Sequence, residues 1–208
     1  MEEFRQFIQN QGMTTGQLVV IALFLLAWLE CLGSWLFGLF EFWSTRRVSG
    51  RFFGIGPVVW RGVRSLPPPY MPVGATLKAS SLNMRLLAPD RCIFAPVSGM
   101  ELGGRGMTAL KGDAKWQGVT AEITVRAPVG TFAFMLSWLS LCVIWAVMAI
   151  MFSIPTATLL IPIIMFVGGT LILRHTWLRA RRDSEDFVSE FTEYLATQGR
   201  AVSREEEF

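Results

Sequence analysis

FAFMLSWLSLCVIWAVMAIMFSIPTATLLIPIIMFVGGTLIL, residues 132–173, contains no Asp, Glu, Lys or Arg, and no charge intervenes anywhere between Arg126 and Arg174. The stretch divides at Ser153 into two apolar runs, 132–152 and 154–173. Each has about the twenty residues an α-helix needs to cross a hydrocarbon core. In lipid every backbone N–H and C=O must be satisfied within its own segment, so the pair reads as a helical hairpin with Pro155 in its short turn. A third run, residues 17–43 (QLVVIALFLLAWLECLGSWLFGLFEFW), lies far upstream. It is too long for the apolar part of a secretory leader. No small-residue cleavage site follows it, and its polar flank carries Glu2, Glu3 and Arg5, so it reads as a retained span. Thr14 or Thr15 can cap its start, and Trp35, Phe40, Phe42 and Trp43 supply aromatic anchors toward its end. The fold class expected is a three-span α-helical membrane protein with a small soluble β-domain inserted between spans 1 and 2.

Orientation follows from the basic residues at the span ends, which are retained on the cytoplasmic side. Arg46, Arg47, Arg51 and Arg61 follow the first run, Arg126 precedes the second, and Arg174, Arg179, Arg181 and Arg182 follow the third. All fall on one side, which places residues 1–16 and the turn outside and the middle region and tail inside, in a multi-pass protein of the bacterial inner or plasma membrane. The net charge of +3 hides an asymmetry: residues 44–131 hold twelve Lys/Arg against four acids, whereas six bases meet eight acids from Arg174 onward. A basic region under a bilayer is drawn to anionic headgroups, at about 1 kcal/mol for each basic group near the surface. Arg46, Arg47, Arg51, Arg61, Arg64, Arg179, Arg181 and Arg182 are the candidate lipid-headgroup or partner-facing cations. Nucleic acid is the weaker reading of this charge, because the region is tethered to the membrane at both ends and shows no interleaving of aromatic and basic residues.

Residues 44–72 read as a basic interfacial segment and linker. Within them RFFGIGPVVWRGVR (51–64) is an interfacial stretch or a strand after Pro57, and Pro67, Pro68 and Pro69 fix an extended linker. From Gly74 the period becomes two. Ala121, Ile123, Val125 and Ala127 alternate with Thr120, Glu122, Thr124 and Arg126, as in a half-buried strand. The turn signal Ala88-Pro89-Asp90-Arg91 joins 82–87 to 91–96 as one hairpin, and Gln117-Gly118 joins 107–116 to 119–127 as another, with Gly103 to Gly106 as a flexible connection. Residues 73–131 are therefore expected to form an antiparallel β-domain of four to six strands, small enough to need support from elsewhere. A small basic β-unit on a membrane anchor resembles the bacterial pleckstrin-homology-like domains in architecture. It departs from them in one respect: that fold is closed by a C-terminal helix, whereas this chain enters the membrane directly after its last strand.

After the third span, residues 174–208 form a tail in which 183–198 (DSEDFVSEFTEYLATQ) reads as a separate amphipathic helix, capped by Asp183 or Ser184 and stopped by Gly199. Phe187, Val188, Phe191, Tyr194 and Leu195 share one face. Its other face is acidic, unlike a helix that lies on anionic lipid, so Phe187, Phe191, Tyr194 and Leu195 are expected to dock on protein, with the basic β-domain as the obvious acceptor.

Signals for catalysis are sparse. The single histidine, His175, lies beside Arg174 at a span end; Cys31, Cys92 and Cys142 have no metal-ligand or disulfide spacing; neither a nucleophile elbow nor a phosphate loop occurs. No catalytic residue, metal site or cofactor is assigned. Two acids fall in the first run. Glu41 is close enough to the inner end to snorkel. Glu30 is central, where an acid costs roughly 2.5–3.5 kcal/mol unless something satisfies it. With no Lys or Arg in the other spans, the intramembrane polar contact of Glu30 must be a hydroxyl such as Ser137 or Ser140, a group on another chain, or its own proton. Gly33 with Gly38, and Gly168 with Gly169, offer small faces for helix packing, and Pro162 is expected to kink the third span. The function expected is a non-catalytic membrane anchor or scaffold that presents a small basic β-domain to a membrane or cytoplasmic partner, in a homo- or hetero-oligomer with another membrane protein. A channel or transporter component using Glu30 is the alternative, and a lipid-modifying enzyme the third.

Overall fold

A computed structural model describes residues 12–78, 81–97 and 110–205. The elements are α1 (Thr15–Arg46), β1 (Val58–Ser65), β2 (Thr76–Lys78), β3 (Leu82–Ala88), β4 (Arg91–Pro96), β5 (Lys111–Gln117), β6 (Thr120–Arg126), α2 (Val129–Met151) and α3 (Thr156–Glu205). They fall into two units. One is helical and takes the described parts of Met1–Leu36 and Thr131–Leu173; the other carries the sheet and takes those of Phe37–Gly130 and Arg174–Phe208. The glycine connection at 103–106 and the outermost N-terminal residues lie outside the described residues.

All three helices are long and apolar enough to cross a membrane. Thr14 and Gln17 cap α1 reciprocally: Gln17 N donates to Thr14 Oγ1 (3.3 Å) and Thr14 N to Gln17 Oε1 (2.8 Å), which serves two donors that the first turn leaves free. The close of α2 is a Schellman turn, with Ser153 at φ 51° and bonds from Ser153 N to Ile150 O (3.1 Å) and from Ile154 N to Ala149 O (2.9 Å). Inside this unit Ser34 and Ser137 hydroxyls meet at 3.4 Å. Gly169 is one point of close helix approach, since a Cβ there would lie 3.1 Å from Leu139 Cδ2, whereas Gly33 and Gly168 meet nothing within 4 Å.

The sheet is wholly antiparallel, in the order β1-β6-β5-β4-β3-β2. Its two hairpins are local. Ala88↔Arg91 closes β3–β4, and Gln117↔Thr120 closes β5–β6 through a two-residue turn whose first position, Gly118 at φ 66°, is one that a side chain rarely adopts. The alternation of β6 holds, with Ala121, Ile123 and Val125 fully buried and Thr120, Glu122, Thr124 and Arg126 not. The sheet starts earlier than Gly74, however. Val58–Ser65 is β1 and pairs with β6, from Val58↔Arg126 to Ser65↔Thr120, so this part of 44–72 is a strand and not an interfacial segment. Its partner lies some sixty residues downstream, and the basic side chains at Arg61 and Arg64 suit an edge strand that must not pair with another chain.

Both sheet faces are covered over β4. On one, Ile93 and Ala95 pack with Val48 and Phe53 from the segment after α1. On the other, Phe94 stacks on Phe191 (centroids 3.8 Å apart) and Phe187 (4.9 Å), both from the later part of α3. Phe94 also lies flat against Gly112, its partner on β5, where a Cβ would fall 2.1 Å from the ring. So a helix does cover this sheet. The tail was expected to hold a separate helix over 183–198, and that is corrected: α3 runs unbroken from Thr156 past Pro162 and Gly199 to Glu205. Residues 174–182 (RHTWLRARR) contain no Pro or Gly, so each continues the helix with a further bond, and Ser184 Oγ donates to Arg181 O (2.6 Å) instead of capping.

Cys92 lies in the core of this unit, fully buried, and desolvation pushes its thiol from 9.0 up to about 12. Because the folded value lies above the unfolded one, the stabilisation linked to the neutral thiol is present below pH 9.0 and is lost as pH rises toward about 12. In a Cys31→Ser/Cys142→Ser background, maleimide at pH 8 is expected to reach Cys92 only at the rate of unfolding. Rapid labelling of the native protein would contradict its placement.

Candidate functional site

The start of α2 poses a problem that its local sequence does not solve. Ala127-Pro128-Val129 provides no Ser, Thr, Asp or Asn to accept the free N–H groups of the first turn. The acceptor comes from α1. Glu41 Oε1 takes the Val129 N–H at 3.0 Å and Oε2 the Gly130 N–H at 2.6 Å, with the carboxylate at the positive end of the helix. Close approach at this point requires glycine at 130, where a Cβ would fall 2.2 Å from the Gly38 Cα.

The same carboxylate binds Lys111 at the start of β5. Lys111 Nζ donates to Glu41 Oε1, to Phe52 O (2.8 Å) and to Ile55 O (2.7 Å), so all three ammonium protons have acceptors. Both side chains are essentially without solvent contact. Burial pushes the Lys111 ammonium below its ordinary value of 10.5, and the hydrogen bond and charge of Glu41 oppose that shift. Isolated charges could not be buried here. Paired and fully hydrogen-bonded, they tie the end of α1, the 52–55 segment, the sheet and the first turn of α2 to one point. The snorkelling expected of Glu41 is thereby corrected: the cation it meets comes from the sheet, and its carboxylate is fully buried.

Just beyond Glu41, α1 ends in a second Schellman turn. Val48 N donates to Thr45 O (3.0 Å) and Ser49 N to Ser44 O (3.3 Å), with the Ser44 and Ser49 hydroxyls also bonded to each other. The left-handed position is held by Val48 (φ 48°), a β-branched residue that disfavours it. Burial of its side chain with Phe53, Ile93 and Ala95 offsets that strain. Asn83 Nδ2 adds a bond to Arg46 O (3.3 Å).

The candidate cations are spread over the sheet-bearing unit, all at least partly exposed. Arg46 and Arg47 lie over the rings of Phe42 (5.6 Å) and Trp43 (3.6 Å), and Arg64 over Trp60 (5.8 Å). Arg61 is paired with Glu122, and Arg179 Nε lies 3.6 Å from Asp183 Oδ2, within ion-pair range but beyond a hydrogen bond. Arg51, Arg181 and Arg182 have no such partner among the described residues. Of the apolar helix face, Phe187, Phe191 and Leu195 are buried and Tyr194 is half-buried. Glu30 is exposed on α1, and neither expected hydroxyl serves it: Ser137 meets Ser34, and Ser140 donates to Leu136 O (3.0 Å). His175 is exposed, and among the described residues no cluster of three His, Cys, Asp or Glu side chains could hold a metal.

The Glu41–Lys111 pair escaped sequence reasoning because its members are seventy residues apart. Its one local signal is the uncapped start of α2, which demands an acceptor from elsewhere. No protein-family model matches the chain, and neither a curated protein nor a solved structure resembles it significantly.

Proposed function

We propose that this chain is a non-catalytic membrane anchor or scaffold subunit that presents a basic sheet and an acid-faced helix to a membrane or cytoplasmic partner. The observation that carries the reading is the buried Glu41–Lys111 pair, which fixes the sheet to the inner end of α1 and the first turn of α2 and so suits a display platform. Glu185, Asp186 and Glu193 are exposed on the helix whose apolar face is already occupied by the sheet, leaving an acidic surface for recognition. In this reading the sheet and the tail are cytoplasmic and the α2–α3 turn is outside. Isolation from native membranes in mild detergent is the test, with a stoichiometric partner expected by mass spectrometry. Recovery of the chain alone under every such condition would defeat it. With the native cysteines replaced by serine, Val119→Cys should resist an impermeant maleimide in intact cells, whereas Ala157→Cys should react; the opposite pattern would invert the topology.

A second reading, an oligomeric channel or transporter component, draws on the exposure of Glu30 in the middle of α1 without a partner among the described residues. An acid so placed is costly unless another chain or its own proton satisfies it. Glu30→Gln should preserve assembly, and Glu30→Leu should weaken it by leaving a polar group unpaired. If Glu30 carries ions, Glu30→Gln abolishes flux in liposomes with assembly intact. Wild-type assembly and flux for Glu30→Leu would remove Glu30 from both readings.

A further inference from the structure

The open half of one sheet face is a three-by-three array of side chains in which β6 runs between β5 and β1. Register sets Asp113 beside Thr124 and Thr124 beside Arg61, with Lys115 beside Glu122 in the next row and Lys111 beside Arg126 in the row before. A small open pocket of about 170 Å³ lies over the centre of this array, lined by Arg61, Asp113, Lys115, Glu122, Thr124 and Arg126. Its two carboxylates are already neutralised. Asp113 takes two hydrogen bonds from Arg91, at 3.0 and 2.7 Å, and both bonds of Arg61 to Glu122 end on the one oxygen Oε1. Two cations are left without a counter-charge. Among the described residues Lys115 has no hydrogen bond or ion pair, and Arg126 uses one nitrogen, on Gly56 O at 2.9 Å. Below them Lys111 has its own carboxylate in Glu41.

We propose that this pocket binds a phosphate group, held by Lys115 and Arg126 with the Thr124 hydroxyl as a further donor. A compact oxyanion fits because the pocket is small, has cations on opposite sides of a hydroxyl, and carries an excess of two positive charges once the Arg91 and Arg61 pairs are counted. The inference deepens the scaffold reading by naming what the sheet recognises. The two fail separately, since phosphate binding by purified protein does not depend on whether a protein partner co-purifies.

The phosphate could belong to a lipid headgroup or to a soluble molecule, and the test separates these sources. Full-length protein in zwitterionic detergent is titrated with inorganic phosphate by calorimetry, and protein in phosphatidylcholine nanodiscs is compared with protein in nanodiscs that also contain phosphatidic acid. Binding in both formats, with phosphatidic acid displacing phosphate, assigns the site to a headgroup; binding of phosphate that phosphatidic acid does not displace assigns it to a soluble ligand. Lys115→Gln should weaken binding roughly tenfold or more, through loss of one charge-assisted bond. Thr124→Val, which keeps shape and charge, should weaken it several-fold without changing the melting profile. Lys78→Gln, at the far edge of the sheet, is the control and should bind as wild type. Absence of phosphate binding in every format, or equal affinity for Lys115→Gln and wild type, would overturn the proposal.

Discussion

Glu41→Leu is expected to destabilise the sheet-bearing unit by about 3–5 kcal/mol, because it strands the Lys111 ammonium without its counter-charge in a buried place. Lys111→Met should cost a similar amount by stranding the carboxylate. The double variant separates the two roles of Glu41. Removing both charges relieves the unpaired ion, yet Val129 N and Gly130 N still lack their acceptor, so a deficit of about 1–3 kcal/mol per unserved donor should persist. Denaturant unfolding in detergent, followed by maleimide access to buried Cys92 in the Cys31→Ser/Cys142→Ser background, reports on this unit. Wild-type stability in both single variants would mean that the pair holds nothing.

Phe191→Asp ranks beside it. The ring is fully buried and stacked on Phe94, and truncation of such a residue alone costs about 3–5 kcal/mol. A carboxylate in its place adds a buried charge with no mate, so the later part of α3 should leave the sheet and become sensitive to protease. Phe191→Leu, which stays apolar and loses less volume, should keep the helix docked. An unchanged melting profile for Phe191→Asp would show that the stack contributes nothing.

Local patterns were legible in this chain and distant pairings were not. The three membrane-length helices followed from long apolar runs, the two hairpins from Pro89-Asp90 and Gly118, and the buried face of β6 from strict alternation. Each of those signals lies within a few residues of the structure it specifies. Val58–Ser65 looked ambiguous because its partner is β6, and nothing in its own composition says which strand will lie beside it. Glu41 looked like an interfacial acid because an apolar helix shows where a charge sits along its axis but not which side chain will meet it from a sheet seventy residues away. The sequence of α3 reads as two helices because a change from apolar to amphipathic composition marks a change of surroundings, and here the backbone does not change with it.

The order in which the chain is made also matters for the Phe94–Phe191 stack. Every strand of the sheet has been synthesised once Arg126 is reached, but the part of α3 that covers Phe94 is encoded only after α2 and the apolar first half of α3. At typical synthesis rates of about 5–20 residues per second, the interval between Arg126 and Phe191 is on the order of several seconds. During that time Phe94 lacks the rings of Phe187 and Phe191 that cover it in the finished protein. A nascent chain halted between Leu173 and Phe187 should therefore recruit chaperones and resist refolding, and arrival of Phe187 and Phe191 is the event that completes the stack on Phe94.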